Sequence, residues 1–133
     1  MTLRTDISRL GGDPPSPWEE LFAYSRVVEA GPFVMIGGTT SVEEGGWVIG
    51  RTPYEQAVEI FRKLLHELER LGLGVADVVQ TRMYVTDISR AHEVGRAHAE
   101  VFADARPVTS MVEVSALIDP RLLVEIELTA YRG

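Results

Sequence analysis

The chain has 133 residues, of which 45% are hydrophobic and 25% charged, a composition typical of one globular domain. It contains no cysteine, which excludes disulfides, thiolate catalysis and Cys-ligated zinc. The formal net charge of −7 repels phosphate backbones, so we expect no nucleic-acid partner. No apolar stretch is long enough for a membrane span or typical of a signal peptide, so we expect a cytoplasmic protein with no membrane partner.

The N-terminal part predicts a lead-in followed by short strands. Residues 1–17 include the Gly- and Pro-rich stretch LGGDPPSP and are expected to form an irregular lead-in to a single domain spanning residues 1–133. Two β-rich runs, residues 24–29 and 33–36, flank a Gly-Pro connection and predict a hairpin. Residues 47–49 follow a turn and are the predicted third strand.

The first predicted helix has clear signals at both ends. Residues 52–55, TPYE, form a capping-box sequence with proline at the first helical position. Apolar residues then recur at steps of three and four as far as Leu71, which marks one buried face. Gly72 is the predicted C-cap.

The rest of the chain completes an α+β pattern. We expect a strand over residues 78–86, a second helix from Asp87 to about Ala103, and closing strands over 108–114 and 123–131. The element order is then β-β-β-α-β-α-β-β. This order predicts two helices packed on one face of a mostly antiparallel or mixed sheet.

Alternation along the last strand separates the two faces of this sheet. Val124, Ile126 and Leu128 point to one side, and Glu125 and Glu127 point to the other. If the aliphatic side faces the helices, the second face carries several carboxylates together with Tyr24, Arg26, Arg82, Tyr84 and Met111. Two helices cannot cover both faces, so we expect this mixed face to meet other copies of the chain.

The sequence contains no strong metal or phosphate motif. His66, His92 and His98 lack metal-ligand spacing, and the paired glycines form neither a dinucleotide-binding fingerprint nor a P-loop. No metal site is therefore expected.

The strand carboxylates Glu113, Glu125 and Glu127 leave two interpretations open. They could form an ion-paired subunit interface, or they could line a polar cleft in which carboxylates act as acid or base and arginines bind an anion. Since clefts often form between subunits, the two interpretations overlap.

The closing strands resemble a family signature. Residues 107–114, PVTSMVEV, followed by Leu117 and the sequence VEIE at 124–127, are similar to the signature of the Rid family of reactive-intermediate imine deaminases, also called the YjgF family. The N-terminal hairpin and the sequence YVTD at 84–87 also fit, so the resemblance covers nearly the whole chain.

This resemblance implies a chorismate-mutase-like α+β subunit, a homotrimer with a central β-barrel, and ligand clefts between neighbouring subunits. Members with deaminase activity hydrolyse imines or enamines such as 2-aminoacrylate to 2-oxo acids and ammonia, without a cofactor. The implied partners are further copies of the chain and a small ligand such as a 2-imino or 2-oxo acid.

The resemblance also places the site. Tyr24, Gly38 and Glu125 match the tyrosine, the glycine and the glutamate of the family's site. The resemblance implies that the glutamate holds the attacking water in place. The arginine that binds the substrate carboxylate falls on Thr109, as in a subfamily that lacks it. Losing a bidentate guanidinium–carboxylate contact weakens substrate recognition by about tenfold to a few hundredfold, so efficient hydrolysis of 2-aminoacrylate is not expected.

Two other arginines are candidate ligand-binding residues. Arg26 follows Tyr24 by two residues and Arg82 precedes Tyr84 by two, so each arginine shares a predicted strand face with a tyrosine. Either each arginine is held in a structural ion pair, or one of them reaches the cleft and binds an anionic ligand.

Two functional hypotheses follow. In the first, the protein is a hydrolase acting on a carbon–nitrogen bond, with Glu125 positioning water and Thr109 hydrogen-bonding in place of the arginine. In the second, it is a non-catalytic trimer that binds a small metabolite or has a regulatory role. A ribonuclease activity fits poorly with the net charge of −7.

Overall fold

Six strands form one sheet in the computed structural model, which describes residues 1–133. The strands are β1 (Ile7–Leu10), β2 (Val27–Ala30), β3 (Phe33–Thr39), β4 (Val78–Val85), β5 (Val108–Glu113) and β6 (Val124–Tyr131). The helices are α1 (Pro17–Leu21), α2 (Pro53–Arg70) and α3 (Ala91–Phe102). Across the sheet the order is β1-β2-β3-β6-β4-β5. Only β4 and β5 are parallel, so the predicted mixed sheet is confirmed.

Helix α2 covers the centre of the sheet. Its start is fixed by the Thr52 hydroxyl, which accepts a hydrogen bond from the Glu55 amide at 3.1 Å, as the capping-box sequence predicts. The helix buries one face against the strands, with Ala57, Ile60, Phe61, Leu64 and Leu68 almost fully enclosed. None of the helices combines the length and the apolar character needed to span a bilayer.

The central strand β6 alternates as expected. Val124, Ile126, Leu128 and Ala130 are buried, and they join the core formed by α2, α3 and the neighbouring strands. The intervening residues Glu125, Glu127 and Thr129 therefore lie on the opposite face, which α2 and α3 do not cover; we call it the open face.

The N-terminal segment differs from its prediction in three places. Residues 7–10, expected to be irregular, form the edge strand β1, whose four residues are too few for alternation to show in the sequence. Strand β2 begins at Val27, because the short helix α1 and its C-cap occupy the chain up to Phe22, so Tyr24 is not in a strand. Residues 47–49 contribute one isolated bridge from Val48 to Val42.

The expected face of β5 is also wrong. Parallel pairing sets Thr109 beside Thr81 and Met111 beside Met83, so both residues point toward the helices, and Met111 packs against the core. Val108 and Val112 instead lie on the open face, where they are 68% and 46% exposed. The sequence could not settle this orientation because apolar residues occur on both sides of the strand.

The second helix begins later than its capping residue suggests. Asp87 accepts a hydrogen bond from the Ser89 amide and starts a single 3₁₀ turn over Ile88–Arg90, after which α3 begins at Ala91.

Val79 is 42% exposed, since an irregularity in the β4–β6 register between Val78 and Gln80 turns its side chain out of the core.

Gln56 ties helix α2 to the loop that leads into β6. Its side chain is 1% exposed, donates to the carbonyls of Gly50 and Arg121, and accepts from the Leu123 amide at 2.8 Å. Three backbone groups of the neighbouring loops therefore depend on one buried amide side chain.

We expect Gln56→Leu to lower the free energy of unfolding by about 2–4 kcal/mol, because it leaves these backbone groups without partners. Urea unfolding followed by circular dichroism measures the change. The matched control is Gln80→Leu, since Gln80 is only partly buried and makes no side-chain hydrogen bond. Equal effects of the two substitutions would contradict this role for Gln56.

Candidate functional site

Two carboxylates and two β4 residues form the polar centre of the open face. Register places Tyr84 beside Glu125 and Arg82 beside Glu127. The Tyr84 hydroxyl donates a short hydrogen bond to the Glu127 carboxylate, and this bond raises the pKa of Tyr84. Glu127 is therefore already partnered within the chain, whereas the Glu125 carboxylate accepts no hydrogen bond from any residue.

Glu125 lies against the backbone of strand β3. The β3–β6 register shifts between Ile36 and Thr39, which brings Gly38 under the glutamate. A Cβ atom built on Gly38 would lie 2.4 Å from the Glu125 Oε2 atom, so only glycine leaves room for the carboxylate in this position. The requirement for glycine here is one of space and not of a positive φ angle.

The surroundings of Glu125 favour its protonated form. Burial raises the pKa of its carboxyl group, the nearby charge of Glu127 raises it further, and Arg26 opposes both effects. A half-buried carboxyl group with a raised pKa and no internal partner can bind water, accept a proton or donate one.

Arg26 is held inside the chain. Its guanidinium donates to the Thr39 hydroxyl at 3.0 Å and to the Gly38 carbonyl at 3.4 Å. A third contact is with Glu19, 3.7 Å away, and the two side chains are only 12% and 8% exposed. Arg26 therefore supports the backbone beneath Glu125, and its charged partner is Glu19 instead of one of the strand glutamates considered from the sequence.

Arg82 is free where Arg26 is not. Its side chain is exposed on the open face and forms no ion pair or hydrogen bond within the chain. It lines a shallow concavity of about 360 Å³ together with Met35, Gln80, Glu127 and Thr129. Of the two candidate arginines, only Arg82 has donors available to an external anion.

Thr109 and Tyr24 lie apart from this centre. Thr109 is exposed on the edge strand β5, and its hydroxyl accepts a hydrogen bond from Thr81 at 2.7 Å on the helix side of the sheet. Tyr24 is 44% exposed after helix α1, and its hydroxyl lies 3.4 Å from the Ser16 hydroxyl. Within one chain the structure thus joins Glu125, Gly38 and Arg26, with Arg82 nearby, but not Thr109 or Tyr24.

Comparison with known proteins now identifies the family. The family model described as endoribonuclease L-PSP matches residues 17–132. A solved structure of a YjgF/YER057c/UK114 family member from Mycobacterium tuberculosis is 46% identical, covers 94% of this chain and 98% of its own, and superposes with a TM-score of 0.83. The chain belongs to the Rid (YjgF) family.

Two curated relatives also match most of the chain. An uncharacterized protein of Streptomyces coelicolor is 41% identical over 119 residues, which covers 89% of this chain and 88% of the relative. A RutC family protein of Pyrococcus horikoshii is 29% identical over 111 residues and covers 82% and 86% of the two chains. The resemblance drawn from the closing strands is confirmed for family and fold.

Some supporting residues of this Rid-family chain were not among the predicted ones. Glu19 accepts hydrogen bonds from the Gly12 and Ser16 amides in addition to facing Arg26. Its capping box, SPWE at residues 16–19, is visible in the sequence and could have located helix α1. Lys63 donates to the carbonyls of Thr40 and Val42, and burial lowers its pKa to about 8. No local pattern indicates that contact.

The described side chains contain no group of three or more His, Asp or Glu residues placed to hold a metal ion.

We expect Gly38→Ala to displace the Glu125 carboxylate while leaving the fold intact, because the new methyl group would collide with the end of a flexible side chain. Carboxyl-carbon NMR of Glu125 should show a changed pKa, with little change in thermal stability. Gly37→Ala is the matched control, since its nearest neighbour would be the Arg26 carbonyl at an ordinary 3.7 Å. Identical Glu125 titrations in both variants would contradict the assigned contact.

Proposed function

We propose that the protein assembles as a homotrimer and binds a small metabolite in clefts between subunits, where Glu125 orients water for the hydrolysis of an imine or enamine. The observation that carries this proposal is the Glu125 carboxyl group itself. It is half-buried, has no partner within the chain, and lies over a glycine on the sheet face that helices α2 and α3 leave open.

The open face supports assembly. Several large apolar side chains there are between 38% and 68% exposed, namely Phe33, Met35, Val79, Val108, Val112 and Tyr131. Covering such a surface with copies of the same chain removes its apolar area from water. A trimeric barrel built from three open faces achieves this.

The position of Thr109 supports a site shared between chains. Thr109 points to the helix side of β5, Glu125 points to the open face of β6, and strand β4 lies between them. Strands are spaced about 4.8 Å apart, so the two residues are separated by roughly 10 Å or more through the sheet. A small ligand that touches both side chains must meet Thr109 from one chain and Glu125 from another.

The proposed hydrolysis is balanced by one water molecule. Glu125 as a carboxylate accepts a proton from water while the oxygen adds to the carbon of the C=N bond. The protonated Glu125 then returns the proton to nitrogen, which gives the neutral carbinolamine. The hydroxyl proton of the carbinolamine next passes through Glu125 to the nitrogen as the C–N bond breaks, which releases ammonia and leaves the C=O bond of the product. The raised pKa of Glu125 favours the second half of this exchange.

A binding or regulatory trimer is the second candidate, since the same cleft could hold a ligand without converting it. The observation in its favour is Thr109, which supplies no charge for a substrate carboxylate. The two candidates differ in whether a bound imine is turned over.

We expect a mass about three times that of the 14.7 kDa chain in solution, because three open faces close on one another. Light scattering at micromolar concentration checks this. A monomer or a dimer would contradict the proposed architecture and remove the shared cleft.

We expect slow hydrolysis of 2-aminoacrylate, about tenfold to a few hundredfold below that of an arginine-bearing family member, and faster hydrolysis of imines that lack a carboxylate. Imines generated in situ from amines and amino acids by oxidases, with semicarbazide trapping, measure both. Glu125→Gln should abolish the activity. Trimers that bind but never turn over any imine would favour the regulatory candidate.

A further inference from the structure

A chain of polar side chains connects helix α3 to the edge strand β5. The Thr81 hydroxyl is fully buried and makes two contacts, one with the His98 Nε2 atom at 2.8 Å and one with the Thr109 hydroxyl at 2.7 Å. The three side chains come from three separate elements, α3, β4 and β5.

The donor and acceptor in each of these two hydrogen bonds follow from the single proton of the Thr81 hydroxyl. A hydroxyl carries one proton, and Thr81 donates its proton to Thr109. The contact with His98 must then be a hydrogen bond that Nε2–H donates to Thr81. Thr109 consequently accepts from inside the protein, and its own proton has no acceptor within the chain.

The histidine is fixed by its packing. Its ring lies 4.7 Å from the Phe102 ring and 5.8 Å from the Phe61 ring, between α2 and α3. Burial lowers the pKa of His98, which keeps the imidazole neutral at pH 7 with a single N–H group. Within this aromatic contact, Thr81 is the one hydrogen-bond partner of the ring in the chain.

We propose that His98 and Thr81 form a relay that fixes the Thr109 hydroxyl as an outward-facing donor, so that the site accepts a neutral carbonyl oxygen at the position where an arginine would take a carboxylate. This inference rests on the proposed function, because it needs Thr109 to face the intersubunit cleft. His98 and Thr81 are positioning residues, since both act through Thr109.

The chemistry of the donor favours a neutral acceptor. One hydroxyl proton matches one carbonyl lone pair, whereas a carboxylate placed there would lose water without gaining an opposite charge. A hydroxyl without the relay could rotate and donate to Thr81, which would present lone pairs to the ligand. The relay removes that alternative, so the Thr109 proton stays available to an acceptor atom of the ligand.

The relay can be tested without any ligand. Nitrogen-15 NMR of the full chain should show His98 in the Nε2–H tautomer, with His66→Gln and His92→Gln assigning the other two histidines. Thr81→Val should shift His98 toward the Nδ1–H tautomer, because Nε2–H would lose its acceptor. An Nδ1–H tautomer in the parent, or an unchanged tautomer in Thr81→Val, overturns the relay.

The role in recognition needs a matched pair of probes, methyl pyruvate and pyruvate, with affinities measured by titration calorimetry. We expect tighter binding of methyl pyruvate. Thr109→Val, Thr81→Val and His98→Phe should each weaken it by about threefold to tenfold, and His98→Gln, which keeps a donor, should recover most of the loss. Thr86→Val is the control, because Thr86 makes no side-chain hydrogen bond.

The outcomes separate this inference from the proposed function. Weakened binding in the relay variants, with trimers that turn over no imine, supports the relay and refutes the hydrolysis. Equal binding of methyl pyruvate by Thr109→Val and the parent, or no measurable binding of either probe, overturns the relay's role in recognition even if an imine is hydrolysed.

Discussion

The alternation of strand β6 is the constraint on which the candidate site depends. Four apolar residues of this strand are buried, and they lock its register against α2 and the strands on either side. A shift by one residue would turn Glu125 and Glu127 into the core and expose Val124 and Ile126. The cost of burying two carboxylates excludes that alternative. The packing of the apolar side therefore fixes where Glu125 meets Gly38 on the other side.

Holding Glu125 in this place costs stability at neutral pH. Its pKa in the folded chain is raised above the ordinary 4.5, so the folded state binds the proton more tightly than the unfolded state does. The stability from the protonated carboxyl is fully present below about pH 4.5 and is lost as the pH rises through the raised pKa. Arg26 limits this loss, and its own charge is balanced by Glu19. A carboxylate kept at such a cost is typical of a functional group.

The sequence predicts those helices and strands whose capping residues and apolar periodicity match the face that they bury in the structure. Helix α2 has a capping box and a long apolar period, and β6 alternates without interruption, so both were predicted to within a residue or two. Strand β1 is too short to carry a pattern, and β5 has apolar residues on both faces. The face of β5 is decided by its parallel register with β4, which is a long-range pairing.

The same distinction applies to the site residues. Glu125 could be placed on the open face from alternation alone, since its neighbours in β6 are aliphatic. The partners of Arg26 could not be predicted, because Glu19 is in the preceding helix and Thr39 at the end of β3. The link from His98 to Thr109 was equally inaccessible, because it depends on α3, β4 and β5 meeting in space.

The charges around Glu125 bear on the class of substrate. Glu125 and Glu127 lie on the open face, Arg26 is engaged by Glu19 and Thr39, and Arg82 is the one guanidinium on β4 with free donors. An anionic ligand near Glu125 would face two carboxylates and only one unpaired guanidinium, that of Arg82. A protonated imine, in contrast, carries a positive charge that these carboxylates attract. Since Thr109 supplies no charge, the electrostatics and the donor geometry both favour a substrate whose acceptor is a neutral oxygen and whose reacting nitrogen becomes cationic.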